Sequence, residues 1–159
     1  MANFVEGRLT IYTNEETMTK IREHVRGLDD EGKESLFDFN KVIPMPEDTD
    51  DEWEWAEQNW RSCSNCWGVE FIGNAYHFYT LKDPCSPVIK ALAKMFPEAE
   101  FDYWYEENAY CFGGHEIYRD GALVVDIEVE FTKYDMYFPE DESAYDENHE
   151  PIKYTGLQV

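Results

Sequence analysis

The stretch VVDIEVEF, residues 124–131, alternates apolar and acidic side chains with a strict period of two. That period suits a strand and excludes a helix, whose apolar positions recur every three or four residues. Val125, Ile127, Val129 and Phe131 form one face; Asp126, Glu128 and Glu130 form the other. EAEFDYWYEE is written in the same way, with Ala99, Phe101, Tyr103 and Tyr105 on one face and Glu98, Glu100, Asp102 and Glu106 on the other. Both read as strands of a sheet with one buried face. If the two share a sheet, their acidic faces are expected to point the same way. Like charges facing one another across strands are destabilising, so selection for folding alone would interleave lysine there.

The rest of the chain supplies the other layer. Residues 4–13 read as a strand, and TNEETMTKIREHVRG as a helix capped by Thr13 or Asn14, apolar at Ile21 and Val25 and closed by Gly27. LFDFNKVIPMP is an apolar segment in which two prolines stop any helix. DDEWEWAEQNWRSCSNCWG reads as a second helix, acidic in its first turn where the helix dipole favours carboxylates. VEFIGNAYHFYTL is extended and broken near Gly73-Asn74. SPVIKALAKMFP is a helix with Ser86 as N-cap, Pro87 at its first position and Pro97 as its stop. CFGGHEIYRDG and ALVVDIEVEF are strands joined at Asp120-Gly121, a strong hairpin signal.

Strand, helix, strands, helix, strands is the order of an α+β, ferredoxin-like split βαβ sandwich, with helices on one face of an antiparallel sheet. The other sheet face is then expected to be open for binding. The domain spans residues 1–131, with a helical insert at about 47–67, and residues 132–159 form an acidic, Tyr-rich C-terminal extension.

Several strings also resemble a known family. FDFNKVIPMP (Phe37 to Pro46), the Trp-rich segment ending in Trp67-Gly68, Asn74 to Tyr76, Ser86 to Pro97 and CFGG (Cys111 to Gly114) are similar to the YubB-type ferredoxin-like domain family of phage and plasmid accessory proteins. The resemblance covers roughly residues 4 to 125. It implies the ferredoxin-like fold, a bacterial cytoplasmic setting and a mobile-element origin, and it transfers no catalytic residue.

Charge carries the functional reading. The 35 acidic and 13 basic residues give a formal charge of −22, far beyond the magnitude of roughly 2 to 8 that keeps a small domain soluble. With 43% apolar and 16% aromatic residues the chain can still bury a core, so disorder does not follow. Self-repulsion of this size opposes folding, and a function should compensate. The acids form clusters: the two strand rows; Glu47, Asp48, Asp50, Asp51, Glu52, Glu54 and Glu57; Asp29, Asp30 and Glu31; and Glu140, Asp141, Glu142, Asp146 and Glu147. Alternate strand residues stand about 6.6 Å apart, and one duplex strand carries a charge every ~3.4 Å, so arrayed carboxylates can imitate a phosphate backbone.

The expected function is therefore a non-enzymatic anti-defence protein. It would mimic DNA and occlude the basic nucleic-acid groove of a host CRISPR effector or restriction nuclease, most concretely as an anti-CRISPR. The partner-binding residues expected are Asp126, Glu128, Glu130, Glu98, Glu100, Asp102, Glu106, Glu47, Asp48, Asp50, Asp51, Glu54, Glu140, Asp141 and Glu142, with Trp53 as an aromatic anchor. Trp53 and Trp55 lie about 200° apart on a helix, so only one is expected in the core. Direct nucleic-acid binding is not expected of so acidic a surface.

Two other readings stand beside it. One is an acidic interaction module, or a homodimer, that binds another basic protein. The other is a small hydrolase built on His115, which follows Gly113-Gly114. No P-loop, nucleophile elbow, H-E-x-x-H or dinucleotide fingerprint occurs. Cys63 and Cys66 have C-x-x-C spacing, but Cys85 and Cys111 stand alone, and DTDDE lacks the glycine of a calcium loop. No metal or cofactor is expected. The N-terminus lacks a basic start followed by an apolar core, and no window approaches the ~18 apolar residues of a membrane span. A cytoplasmic protein of the host bacterial cell is the expectation.

Overall fold

The computed structural model describes residues 3–107 and 112–130, and the side chains among them except those of Val129 and Glu130. A six-stranded antiparallel sheet runs in the order β4-β5-β1-β6-β7-β8. Its strands are β1 (Phe4–Tyr12), β4 (Trp67–Ile72), β5 (Ala75–Leu81), β6 (Glu100–Glu107), β7 (Phe112–Arg119) and β8 (Ala122–Glu130). A two-residue pair, β2 (Gly27–Leu28) with β3 (Glu34–Ser35), stands apart from it. The helices are α1 (Glu15–Val25), α2 (Glu52–Trp60) and α3 (Ser86–Met95). Taken alone, β1-α1-β4-β5-α3-β6 is the split βαβ unit, with β1 central between β5 and β6. The β7–β8 hairpin widens that sheet beyond β6.

Each element follows from local chemistry. Asn14 caps α1 by accepting from the Thr17 amide at 2.8 Å, with Glu15 and Glu16 favourably placed in the first turn. Ile21 and Val25 bury one face of α1; Val88, Ile89, Leu92 and Ala93 bury one face of α3. Facing them, Val5, Leu9, Ile11, Tyr76, Phe78, Phe101 and Tyr103 fill the helix side of the sheet. Gly7 makes room there for the rings of Phe78 and Tyr103, which a Cβ would approach to 3.1 and 3.2 Å. Asp120 (φ 51°) and Gly121 (φ 74°) both take the left-handed conformation that a tight, right-twisted hairpin needs.

The segment between α1 and β4 has little regular structure, and a buried polar centre organises it. Phe37 and Phe39 enter the core on either side of Asp38, which is 4% exposed. The Asp38 carboxylate accepts from the Leu28 amide at 3.1 Å, the Asn40 amide at 2.9 Å and Asn65 Nδ2 at 2.8 Å. Asn65 Oδ1 in turn accepts from the Phe39 and Cys66 amides, each at 3.0 Å. Backbone groups from three parts of a poorly structured segment thereby gain partners that no helix or sheet gives them.

Several sequence expectations shift here. Gly27 does not close α1; it opens β2, and a side chain there would run into Asp38. The acidic Trp-rich helix is shorter than its pattern, ending at Trp60 because Arg61 turns left-handed (φ 63°), and Trp67 already belongs to β4. Ser86 is not the cap of α3: Cys85 holds that position, and the Ser86 hydroxyl is engaged elsewhere. The expectation for Trp53 and Trp55 holds, since Trp53 is 49% exposed while Trp55 packs edge-on against buried Trp60. The face opposite the helices is open at β4 and β1, where Glu6, Arg8 and Glu70 are exposed, and half-buried at β5. At β7 it is not, since Gly113, His115 and Ile117 are buried. The extension at 132–159 lies outside the described residues.

Removing the carboxylate at Asp38 should leave the Leu28, Asn40 and Asn65 donors unpaired, at about 1–3 kcal/mol for each buried group so orphaned. Asp38→Ala should therefore lower the urea midpoint markedly, and Asp38→Asn, which keeps one acceptor oxygen, should lower it less. Equal midpoints for the two variants would show that the hydrogen bonds are not the source of the effect.

Candidate functional site

The acidic strand rows do not share a face. In β6, Asp102 and Glu106 lie on the side away from the helices, in register with Thr10 and Glu6 of β1. In β8, Asp126 stands opposite Glu116 and Glu128 opposite Gly114, and these are in turn the β7 partners of inward-facing Tyr103 and Tyr105. Asp126 and Glu128 thus belong to the helix side. The cause is a bulge. The hairpin starts in step, Arg119 with Ala122 and Tyr118 with Leu123, but Ile117 pairs with Val125, so Val124 is an inserted residue. One extra residue reverses the facing of every side chain beyond it. Without it, Asp126 would stand opposite His115 and the two rows would point the same way, as the sequence led one to expect.

That reversal brings an unforeseen carboxylate into play. Glu116, 6% exposed, accepts from Ser86 Oγ at 2.6 Å and from the Tyr118 hydroxyl at 3.0 Å. Burial raises its pKa above the ordinary 4.5, the two hydroxyls oppose that, and the Asp126 charge adds to it. Tyr105 is pushed upward by burial first and then by the charges of Glu116, Glu128 and Asp126. Gly114 lets Tyr105 lie there, because any Cβ would collide with its ring. The signal was present in the sequence, since period two in GGHEIY sets Glu116 on the same face as Tyr118.

On the opposite side of β7, His115 Nε2 pairs with Asp102 Oδ1 at 2.6 Å and the imidazole stacks on Trp104 with centroids 4.7 Å apart. His115 is 6% exposed, and its Nδ1 has no hydrogen-bond partner among the described residues. Asp102, expected to face a partner, is instead turned to this histidine. An Asp–His pair can orient an imidazole for proton transfer, but no described hydroxyl or thiol is bonded to the ring to serve as a nucleophile.

The third acidic group lies at α2. Asp51 caps the helix by accepting from the Glu54 amide at 2.9 Å, while Glu47, Asp48, Asp50, Glu52 and Glu54 are exposed around Trp53. The turn at 29–31 comes close: the pKa of Asp30 is raised, by burial first, and its neighbouring charges include Asp29, Asp38 and Glu52. Asp30 and Glu52, far apart in sequence, are thus electrostatic neighbours, while the exposed Trp53 ring has Lys82 Nζ 6.0 Å from its centre. Of the remaining predicted residues, Glu98 is exposed and Glu100 is held by Arg119 at 2.8 Å. Glu130 ends β8, and Glu140, Asp141 and Glu142 lie outside the described residues.

Cys63, Cys66 and Cys85 are buried free thiols, and Cys66 Sγ donates to the Phe37 carbonyl at 3.2 Å. Cys111 is outside the described residues. Among the described residues no helix is long and apolar enough to cross a membrane.

Because the folded chain holds a proton on Glu116 to higher pH than the unfolded chain does, its stability falls as pH rises through the window above 4.5. Glu116→Gln should accordingly melt higher than the parent at pH 7, with the difference vanishing as both approach pH 4 in a thermal-denaturation series. A variant less stable at every pH would mean that the hydroxyl bonds to the carboxylate outweigh its burial.

Comparison with known proteins bears on the fold. Residues 72–150 match the family described as the ferredoxin-like domain in Api92-like protein. Among solved structures, the chain is similar to the crystal structure of protein api92 from Yersinia pseudotuberculosis, at 15% identity and a TM-score of 0.48, over 63% of this chain and 42% of that one. The chain thus spans less than half the length of that protein. No curated protein matches the sequence. The ferredoxin-like domain expected from the resemblance is borne out, although FDFNKVIPMP lies before the matched residues. From the β4–β5 turn onward, over residues 72–150, this chain is similar to the ferredoxin-like domains found in Api92-like proteins.

Proposed function

We propose that this protein is an acidic decoy of nucleic acid, which occupies the basic groove of a nucleic-acid-binding protein and blocks it without chemistry. The observation that carries the reading is the convergence of carboxylates from distant parts of the chain with few cations between them. The Asp29-Asp30 turn meets Glu52, and Asp126 faces Glu116. Among the described residues, ion pairs take up Glu16, Glu31, Glu57, Glu100 and Asp102. A fold that keeps like charges together against their repulsion has a use for the field they create. Such a field steers a basic partner and disfavours nucleic acid itself.

The edge formed by α2 and the 29–31 turn is the leading surface. It combines exposed acids with Trp53, and a half-exposed tryptophan among charges is the kind of anchor on which interface energy concentrates. A host defence complex that holds nucleic acid in a Lys/Arg channel, most concretely a CRISPR effector, is the class of partner this surface suits. A mobile-element product would gain from blocking such a complex.

Pull-downs from bacterial lysate with the parent and three variants test this reading. The variants are Glu52→Lys/Trp53→Ala/Glu54→Lys at α2, Asp126→Lys/Glu128→Lys on the helix side, and Glu6→Lys/Glu106→Lys on the opposite side. The parent should retain a nucleic-acid-binding protein at low salt and release it steeply as salt rises. The α2 variant should lose most of that binding, while His115→Ala should keep it. Retention of the same partner by all three reversals, or indifference to salt, would overturn the proposal.

A further inference from the structure

One concave site in this acidic protein is basic. Between α1 and the β4–β5 hairpin lies a cavity of about 210 Å³, whose lining includes Arg22, Glu23, Arg26, Leu36, Phe71 and Tyr76. Arg22 lies in the last turn of α1 and Arg26 follows the helix as its C-cap, and both line the cavity. Neither forms an ion pair among the described residues, in a chain where acids outnumber bases 35 to 13.

The cavity is also built for something flat. The Arg22 guanidinium lies 4.2 Å over the centre of the Phe71 ring. Stacking of this kind occupies the face of the guanidinium; its in-plane N–H donors are shared between the Tyr76 hydroxyl and a planar anion. Phe71 and Tyr76 have centroids 4.7 Å apart and, with partly buried Leu36, make an apolar wall. Burial pushes the Tyr76 hydroxyl up to about 12, against the opposing pull of Arg22, so it remains a neutral donor at physiological pH.

Size and charge narrow the ligand. Drug-sized ligands occupy pockets of roughly 300–1,000 Å³, so this one suits a single ring with its substituent. Two arginines against Glu23 leave a local excess of one positive charge, which favours an anion, and the glutamate can accept from a ring hydroxyl or amine. We propose that this cavity binds a small aromatic anion: Arg22 and Arg26 hold its carboxylate or phosphate, while Leu36, Phe71 and Tyr76 contact its ring. The site is independent of the decoy surface, which has the opposite charge and a different location.

Isothermal titration of the full chain with phenyl phosphate and with benzoate tests the site and identifies which anion it prefers; inorganic phosphate and phenol serve as the separate halves. At least one ring anion should bind saturably at a single site, with each half weaker by about tenfold or more, equivalent to ~1.4 kcal/mol. Arg22→Gln and Arg26→Gln should each weaken binding by a similar factor with an unchanged circular-dichroism spectrum, since both residues are exposed. Arg22→Lys keeps the charge without the planar fork and should also bind more weakly; Phe71→Leu should do so through loss of the ring. The proposal is overturned if neither ring anion saturates by about 5 mM, if inorganic phosphate binds as well as they do, or if the arginine variants bind like the parent.

Discussion

The buried carboxylate of Asp38 is the interaction on which the arrangement of the acidic edge depends. Between α1 and β4 the chain makes a long excursion in which only two very short strands, a 3₁₀ turn and α2 are regular. An excursion of that length loses considerable conformational entropy on ordering. Asp38 and Asn65, linked at 2.8 Å, collect backbone donors from both ends of it while Phe37 and Phe39 fix the middle to the core. Asn65 also donates its amide to Asp30 at 3.1 Å, so the same centre sets the 29–31 turn beside α2. A buried negative charge is tolerable only when it is well solvated by donors, and this one is used to position other negative charges at the surface.

The bulge at Val124 has a comparable effect on the far side of the molecule. By reversing the facing of β8, it divides the acids between the two sides of the sheet: Asp102 and Glu106 on one, Asp126 and Glu128 on the other. Division keeps the rows of β6 and β8, which stand two strands apart across β7, from sharing a face. It has its own cost at Glu116, whose carboxylate is buried opposite Asp126. The hydroxyls of Ser86 and Tyr118 offset part of that cost, and in doing so tie the start of α3 to β7.

Much of this could be read in advance, for reasons that are local. Period-two writing marked β6 and β8; Asn14 and the first-turn acids marked α1; Asp120-Gly121 marked the hairpin. Misreadings arose where a local signal competed with a distant partner. Ser86 looked like a cap, but its hydroxyl has a better acceptor in Glu116, thirty residues on. Gly27 looked like a helix stop, but its lack of a side chain serves the close approach of Asp38. His115 stood out as a lone histidine, while its partner Asp102 had been assigned to a charged face, because only strand pairing shows that Trp104 and His115 are neighbours. The cavity at Arg22 and Arg26 left no trace in any motif, since its walls come from α1, the segment before Phe37 and the β4–β5 hairpin.

The sequence by itself determined which segments are strands and helices, which side of each strand is apolar, and that the protein carries a large negative charge. These are properties of periodicity, capping and composition, and each is settled within a few residues. The tertiary structure alone decided which apolar sides face the same way, which acids become neighbours, and where two arginines meet an aromatic wall. Those outcomes hang on strand register, and a single inserted residue in β8 changes register without altering the pattern on either side of it.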